Sequence, residues 1–181
     1  MIKILFKSSG FSLVELMIVV SIAGILLSVG LPSFQGAILQ NRLVTQVNSL
    51  VGALNVARSE AIKRNQFVVV QKSGTAWKEG WEVFVDLNAN GTKDAGDSVI
   101  QQYEGITVNH INPSASYTNY IAYRPDGRSN ANGHFYLCSP AAEAMFKRIL
   151  IATSGRIRTE SSENITGTPS AVTIYNDKCI E

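Results

Sequence analysis

Residues 11–31, FSLVELMIVVSIAGILLSVGL, form a nearly continuous apolar run that carries one charge, Glu15. Its length matches the ~20 residues an α-helix needs to cross a ~30 Å hydrocarbon layer. Lys3 and Lys7 precede the run, and no cation follows it until Arg42. Cations gather on the cytoplasmic side of a spanning helix. The N-terminus is therefore expected in the cytoplasm, with the rest of the chain beyond the inner membrane.

Two simpler readings explain less. A removable secretory signal has an apolar stretch of ~7–15 residues ending in a small-residue cleavage site. Here the run is longer, and Pro32, Ser33 and Phe34 offer no such site. A plain single-pass anchor explains the length but not Glu15. A carboxylate within a span costs about 2.5–3.5 kcal/mol if left unpaired. The simplest partner is the ammonium created on Phe11 by a cut after Gly10, contributed by a neighbouring copy.

The stretch SSGFSLVELMIVVSIAGILLSVGLPSF resembles the class III signal of type IV pilins and type II secretion pseudopilins. The resemblance implies that a prepilin peptidase cuts between Gly10 and Phe11 and that Phe11 is then N-methylated. It also implies that Glu15, at the fifth mature position, supports subunit registry in a filament. Residues 1–10 are then a leader peptide and 11–31 a transmembrane segment that becomes filament core.

Beyond Pro32, which removes a helix donor, Leu43, Val47, Leu50, Leu54, Ala57 and Ala61 recur at spacings of four and three. That spacing predicts an amphipathic helix over 32–65, ending at Asn65. From Phe67 the period drops to two. Strands are expected at 67–71, 81–87, 98–101, 106–111, 117–123, 134–138, 147–152 and 171–175. The fold class is α+β: a long, kinked N-terminal helix packed against an antiparallel β-sheet head, residues 66–181.

Cys138 and Cys179 are the only cysteines. A chain beyond the membrane faces an oxidising compartment, so they are expected to pair. Residues 86–97, DLNANGTKDAGD, place oxygens at several calcium-loop positions with glycine at the sixth. Asp97 is short for the bidentate position, and the flanks are strands. Asn90-Gly91 between strands favours a hairpin with Asx turns, and no metal or other cofactor is expected. His110 and His134 lie in no metal or nucleophile motif, so an enzyme is not expected.

Residues 147–158 hold Lys147, Arg148, Arg156 and Arg158 and no acid. If Gly155 turns the chain, Arg156 and Arg158 project from one face of the extended segment that follows, ~7 Å apart at Cα. Arginine forks bind phosphate. Pairing with Glu160 and Glu163 is the competing reading. The sequence SGRIR resembles the G-R-x-R motif of GspH/FimT-type minor pilins, some of which bind DNA for uptake. The resemblance assigns Gly155, Arg156 and Arg158 to non-specific DNA binding, helped by Lys147 and Arg148. Loss of Lys3 and Lys7 with the leader takes the side-chain charge from +2 to zero. DNA affinity must then be local and salt-dependent.

The sequence thus reads as a tip-associated minor type IV pilin that binds DNA in natural transformation. Its partners would be other pilins, the prepilin peptidase, the inner membrane and DNA. It would sit in the inner membrane before assembly, then in the pilus at the cell surface. The alternatives are a pilus-priming subunit without DNA binding, a type II secretion pseudopilin and a calcium-dependent adhesin.

Overall fold

A computed structural model describes residues 10–106, 110–139, 145–162 and 177–179, without the side chains of 29–35. The chain divides into two compact units, Met1–Ile38 and Leu39–Glu181. Helix α1 runs Leu13–Arg64.

Within the first unit, α1 presents exposed apolar side chains, among them Leu13, Met17, Ile25 and Leu26, and Phe11 just before it is exposed too. Ser12 caps the helix: its hydroxyl accepts the Glu15 N–H at 3.2 Å. Glu15 therefore lies in the first turn, where the free N–H groups favour an anion. Among the described residues no helix is long and apolar enough to cross a membrane. The spanning reading of 11–31 draws partly on residues 29–31, whose side chains lie outside the described ones.

In the second unit, Leu43, Val47, Leu50, Leu54, Ala57 and Ala61 are buried, as their spacing predicts. Each fully buried leucine or valine contributes about 1.5–3 kcal/mol. Asn65 ends the helix at φ 53°, and the Gln66 N–H bonds back to the Ala61 carbonyl at 3.2 Å. This left-handed cap satisfies a terminal carbonyl.

Among the described residues eight strands follow: β1 Phe67–Lys72, β2 Gly80–Asp86, β3 Ser98–Glu104, β4 His110–Pro113, β5 Tyr120–Tyr123, β6 Gly133–Cys138, β7 Phe146–Ile151 and β8 Ile157–Ser161. They form two four-stranded sheets, ordered β3-β2-β1-β5 and β4-β6-β7-β8. All their pairings are antiparallel. One hydrophobic cluster joins α1 to both sheets. At its centre Trp77 meets Phe135 edge-on at 5.0 Å and donates its indole N–H to the Tyr117 carbonyl at 2.8 Å.

The predicted strand 117–123 is shorter than expected, because Ala115–Tyr117 is a 3-10 turn that buries Tyr117. The expected strand at 171–175 lies outside the described residues, as do 107–109 of the strand expected at 106–111.

The 86–97 segment connects β2 to β3 and covers the sheet face turned away from α1. There Val69, Phe84 and Ala122 form a second buried cluster with Tyr120. Gly91 packs against the Tyr120 ring so closely that a Cβ would lie 2.3 Å from it. Lys93 anchors the segment to Glu82 at 2.7 Å. Its side-chain oxygens serve the loop itself: Asp86 accepts the Gly91 N–H at 2.8 Å, Asn90 that of Thr92 at 2.7 Å and Asp97 that of Asp94 at 2.9 Å. The Asn90 bond, and the 3.2 Å bond of the Asn90 N–H to Asn88, have the spacing of the Asx turns expected of a hairpin connection. The Asp86 and Asp97 bonds span longer steps of the loop.

Candidate functional site

The β7–β8 hairpin turns through Ala152–Gly155, closed by the Gly155 N–H on the Ala152 carbonyl at 2.8 Å. Gly155 adopts φ +77°, a region that disfavours a side chain. A Cβ there would lie 2.0 Å from the Gly127 carbonyl oxygen and 2.9 Å from Arg58 Nε. The turn is therefore pressed against a second turn, Arg124–Gly127. Arg58 reaches from α1 to both, donating from Nε to the Gly127 carbonyl at 3.0 Å and from Nη2 to the Ser154 carbonyl at 3.3 Å. The Ser129 N–H adds a bond to the Thr153 carbonyl at 3.1 Å.

Arg156 and Arg158 follow this turn, both exposed. Among the described residues neither is held in an ion pair or side-chain hydrogen bond. They border an open groove of about 490 Å³ with His134, Leu150 and Ser154. The register explains the grouping: Arg158 pairs with Leu150 across β7–β8, and Leu150 with His134 across β6–β7. Paired residues in an antiparallel sheet share a face. Burial, then the charges of Arg148 and Lys178, push the His134 imidazole pKa down. Near neutral pH it adds no positive charge to the groove.

Lys147 and Arg148 are not drawn into this pair. Lys147 points from the other face of β7, bordering a small depression with Val44, Asn48 and Thr159. Arg148 shares the outer face but is already engaged. Its guanidinium bonds Glu160 at 3.1 Å through Nε and again through Nη2, reaches the Tyr136 hydroxyl at 3.4 Å and lies 6.0 Å over that ring. Burial opposes its charge, yet the Glu160 and Tyr136 bonds outweigh that and raise its pKa. The four-cation cluster read from the sequence therefore divides: one residue of offset turns Lys147 to the opposite face, and Glu160 holds Arg148. Among the described residues the Glu160 pairing weighed as a competing reading applies to Arg148 alone, and Glu163 lies outside them. Arg58, by contrast, gave no signal in the sequence, where it is one polar residue off an apolar stripe.

Cys138 and Cys179 are joined by a disulfide with Cα atoms 5.6 Å apart. It closes a loop of sequence separation 41. Replacing both by serine is expected to cost about 2–4 kcal/mol in urea unfolding. A loss below ~1 kcal/mol would mean that other contacts hold the tail.

A family model described as type II transport protein GspH matches residues 46–155, from mid-helix to the turn glycine. The chain belongs to this family. A second model, the prokaryotic N-terminal methylation motif, matches residues 5–31 and so includes Gly10, Phe11 and Glu15. The pilin-like protein PilA1 of Thermus thermophilus is 40% identical over 90 residues, 49% of this chain and 54% of that protein. The chain thus spans about half the length of the curated relative it matches. The fold resembles crystal structures of the Pseudomonas aeruginosa type IV minor pilin FimU (TM-score 0.57, 20% identity, 73% of this chain and 96% of that one). It also resembles the minor pseudopilin EpsH from the type 2 secretion system of Vibrio cholerae (TM-score 0.50, 12% identity, 66% and 97%). The long helix with its antiparallel head is the type IV pilin fold, here carried by a chain of the GspH family.

Proposed function

We propose that the chain is a minor type IV pilin that binds DNA non-specifically at the β7–β8 turn during uptake. Cleavage between Gly10 and Phe11, N-methylation of Phe11 and insertion of 11–31 in the inner membrane precede assembly with other pilins, with the head exposed at or near the filament tip. Its role is structural rather than enzymatic. The observation that carries the DNA reading is the pair of guanidinium groups, Arg156 and Arg158, that no described residue engages, presented beside a turn that only glycine permits. Such groups neutralise phosphates without reading bases.

The test is fluorescence anisotropy with random-sequence duplex DNA over a salt series. Each phosphate contact contributes ~0.9 to the slope of log K against log salt. Arg156→Ala/Arg158→Ala is expected to flatten that slope by about 1.8. Equal slopes and affinities for wild type and the double variant would end the DNA reading.

The family description favours a second reading, a pseudopilin in protein secretion. It expects a deletion strain to lose secretion and keep transformation, the reverse of the first.

A further inference from the structure

We propose that the phosphate-binding surface extends over the neighbouring Arg124–Gly127 turn, with Arg124 and Arg128 as further DNA contacts. This rests on the reading of Arg156 and Arg158 as phosphate ligands. The extension follows from how the two turns are joined. Gly127 and Gly155 both take φ +77°, and the Gly127 carbonyl occupies the space a Gly155 side chain would fill. Arg58 bonds both turns, and the Ser129 N–H and hydroxyl bond the Thr153 and Ala152 carbonyls at 3.1 and 2.9 Å.

Arg128 and Arg156 each follow one of these touching glycines. With ~3.8 Å between consecutive Cα atoms, the two lie within about 14 Å of each other. One strand of B-DNA carries a charge every ~3.4 Å of axis, so that span faces at most about four phosphates.

The available charge agrees. Arg124 is exposed and, among the described residues, has no ion pair or side-chain hydrogen bond. Arg128 has its side chain 69% exposed, with, among the described residues, only the Asp126 carboxylate paired to it at 3.7 Å. Such an exposed pair is worth little and yields to a phosphate. Segments 124–129 (RPDGRS) and 152–158 (ATSGRIR) hold four arginines and one acid, Asp126. Arg58 adds a fifth guanidinium between them. The protein's near-zero net charge thus hides a local basic edge, assembled from segments almost thirty residues apart.

The experiment uses the full chain in non-ionic detergent, with random-sequence duplex DNA and anisotropy over a salt series. Arg124→Ala/Arg128→Ala is expected to weaken binding about tenfold at low salt and flatten the log–log salt slope by about 1.8. Arg124→Lys/Arg128→Lys should recover most of the affinity, because a point charge suffices for backbone contact. Arg42→Ala/Lys78→Ala, an equal loss of charge elsewhere, should stay within about twofold of wild type. If Arg156→Ala/Arg158→Ala weakens binding while Arg124→Ala/Arg128→Ala behaves like that control, the extension is wrong and the first site survives. If neither pair matters, the DNA reading itself fails and takes the extension with it. An unchanged melting midpoint for Arg124→Ala/Arg128→Ala ties its loss to charge, whereas a lowered midpoint with no recovery by lysine overturns the proposal.

Discussion

Replacing Gly155 by valine is expected to lower the unfolding free energy by about 2–6 kcal/mol. A left-handed backbone costs a β-branched residue about 1–3 kcal/mol, and overpacking adds about 1–3 kcal/mol. The clash cannot be relieved by a rotamer change. The new Cβ would stand 2.0 Å from a backbone oxygen, that of Gly127, and 2.9 Å from Arg58 Nε. Either the hairpin tip lifts away or the Arg124–Gly127 turn retreats, and both outcomes strain the Arg58 bonds. Total stabilities of natural domains are about 5–15 kcal/mol, so the loss is a large fraction. Gly96→Val is the matched control, because no atom lies within 4 Å of a Cβ there. It is expected to stay within about 0.5 kcal/mol of wild type. Denaturant titration of both variants decides the matter: equal midpoints would mean that the two turns are not packed as described. The same substitution should also cost DNA affinity, since it moves Arg156 relative to its neighbours. A Gly155→Val chain that melts early yet binds DNA normally would separate the turn's structural role from the binding role proposed for it.

The helix and most strands were legible because their signals are local and repeated. A buried stripe at spacings of four and three, from Leu43 to Ala61, leaves few alternatives to a helix packed on one side. Alternating and β-branched segments bounded by Gly, Asn and Pro mark strands in the same way. Three features were less accessible. The burial of Val68, Val69 and Val70 on both sheet faces depends on the 87–97 connection folding back over Tyr120, a tertiary event. The separation of Lys147 and Arg148 from Arg156 and Arg158 depends on strand register, which a charge count along the chain ignores. Arg58 and the Arg124–Gly127 turn join the site only through contacts of long sequence separation. The G-R-x-R segment identified the location of the turn, and the packing determined which cations are available there.

At the other end of the chain, Glu15→Ala and Glu15→Gln are expected to fail to enter filaments while still being cleaved after Gly10. The argument is electrostatic. In a packed bundle of apolar helices a lone carboxylate costs about 2.5–3.5 kcal/mol, and an ammonium on the adjoining subunit's Phe11 would offset that cost. Glu15 also has a local role, because it follows the Ser12 cap in the first turn of α1. Serine followed three residues later by glutamate is the arrangement of a capping box, in which glutamine serves nearly as well. The two substitutions therefore separate the roles. Both variants keep the backbone N–H that the Ser12 hydroxyl accepts; alanine removes the whole polar side chain, whereas glutamine removes only the charge. If registry depends on the ion pair, both variants drop out of purified filaments by about 100-fold, the equilibrium equivalent of ~2.7 kcal/mol, while their cleaved forms remain in the membrane fraction. If glutamine assembles like wild type and alanine does not, the carboxylate acts through the helix terminus alone. N-terminal sequencing of the membrane form, expected to begin at Phe11, keeps a processing defect from being mistaken for an assembly defect. Incorporation of both variants at wild-type levels would remove the reason for an acid in this apolar segment.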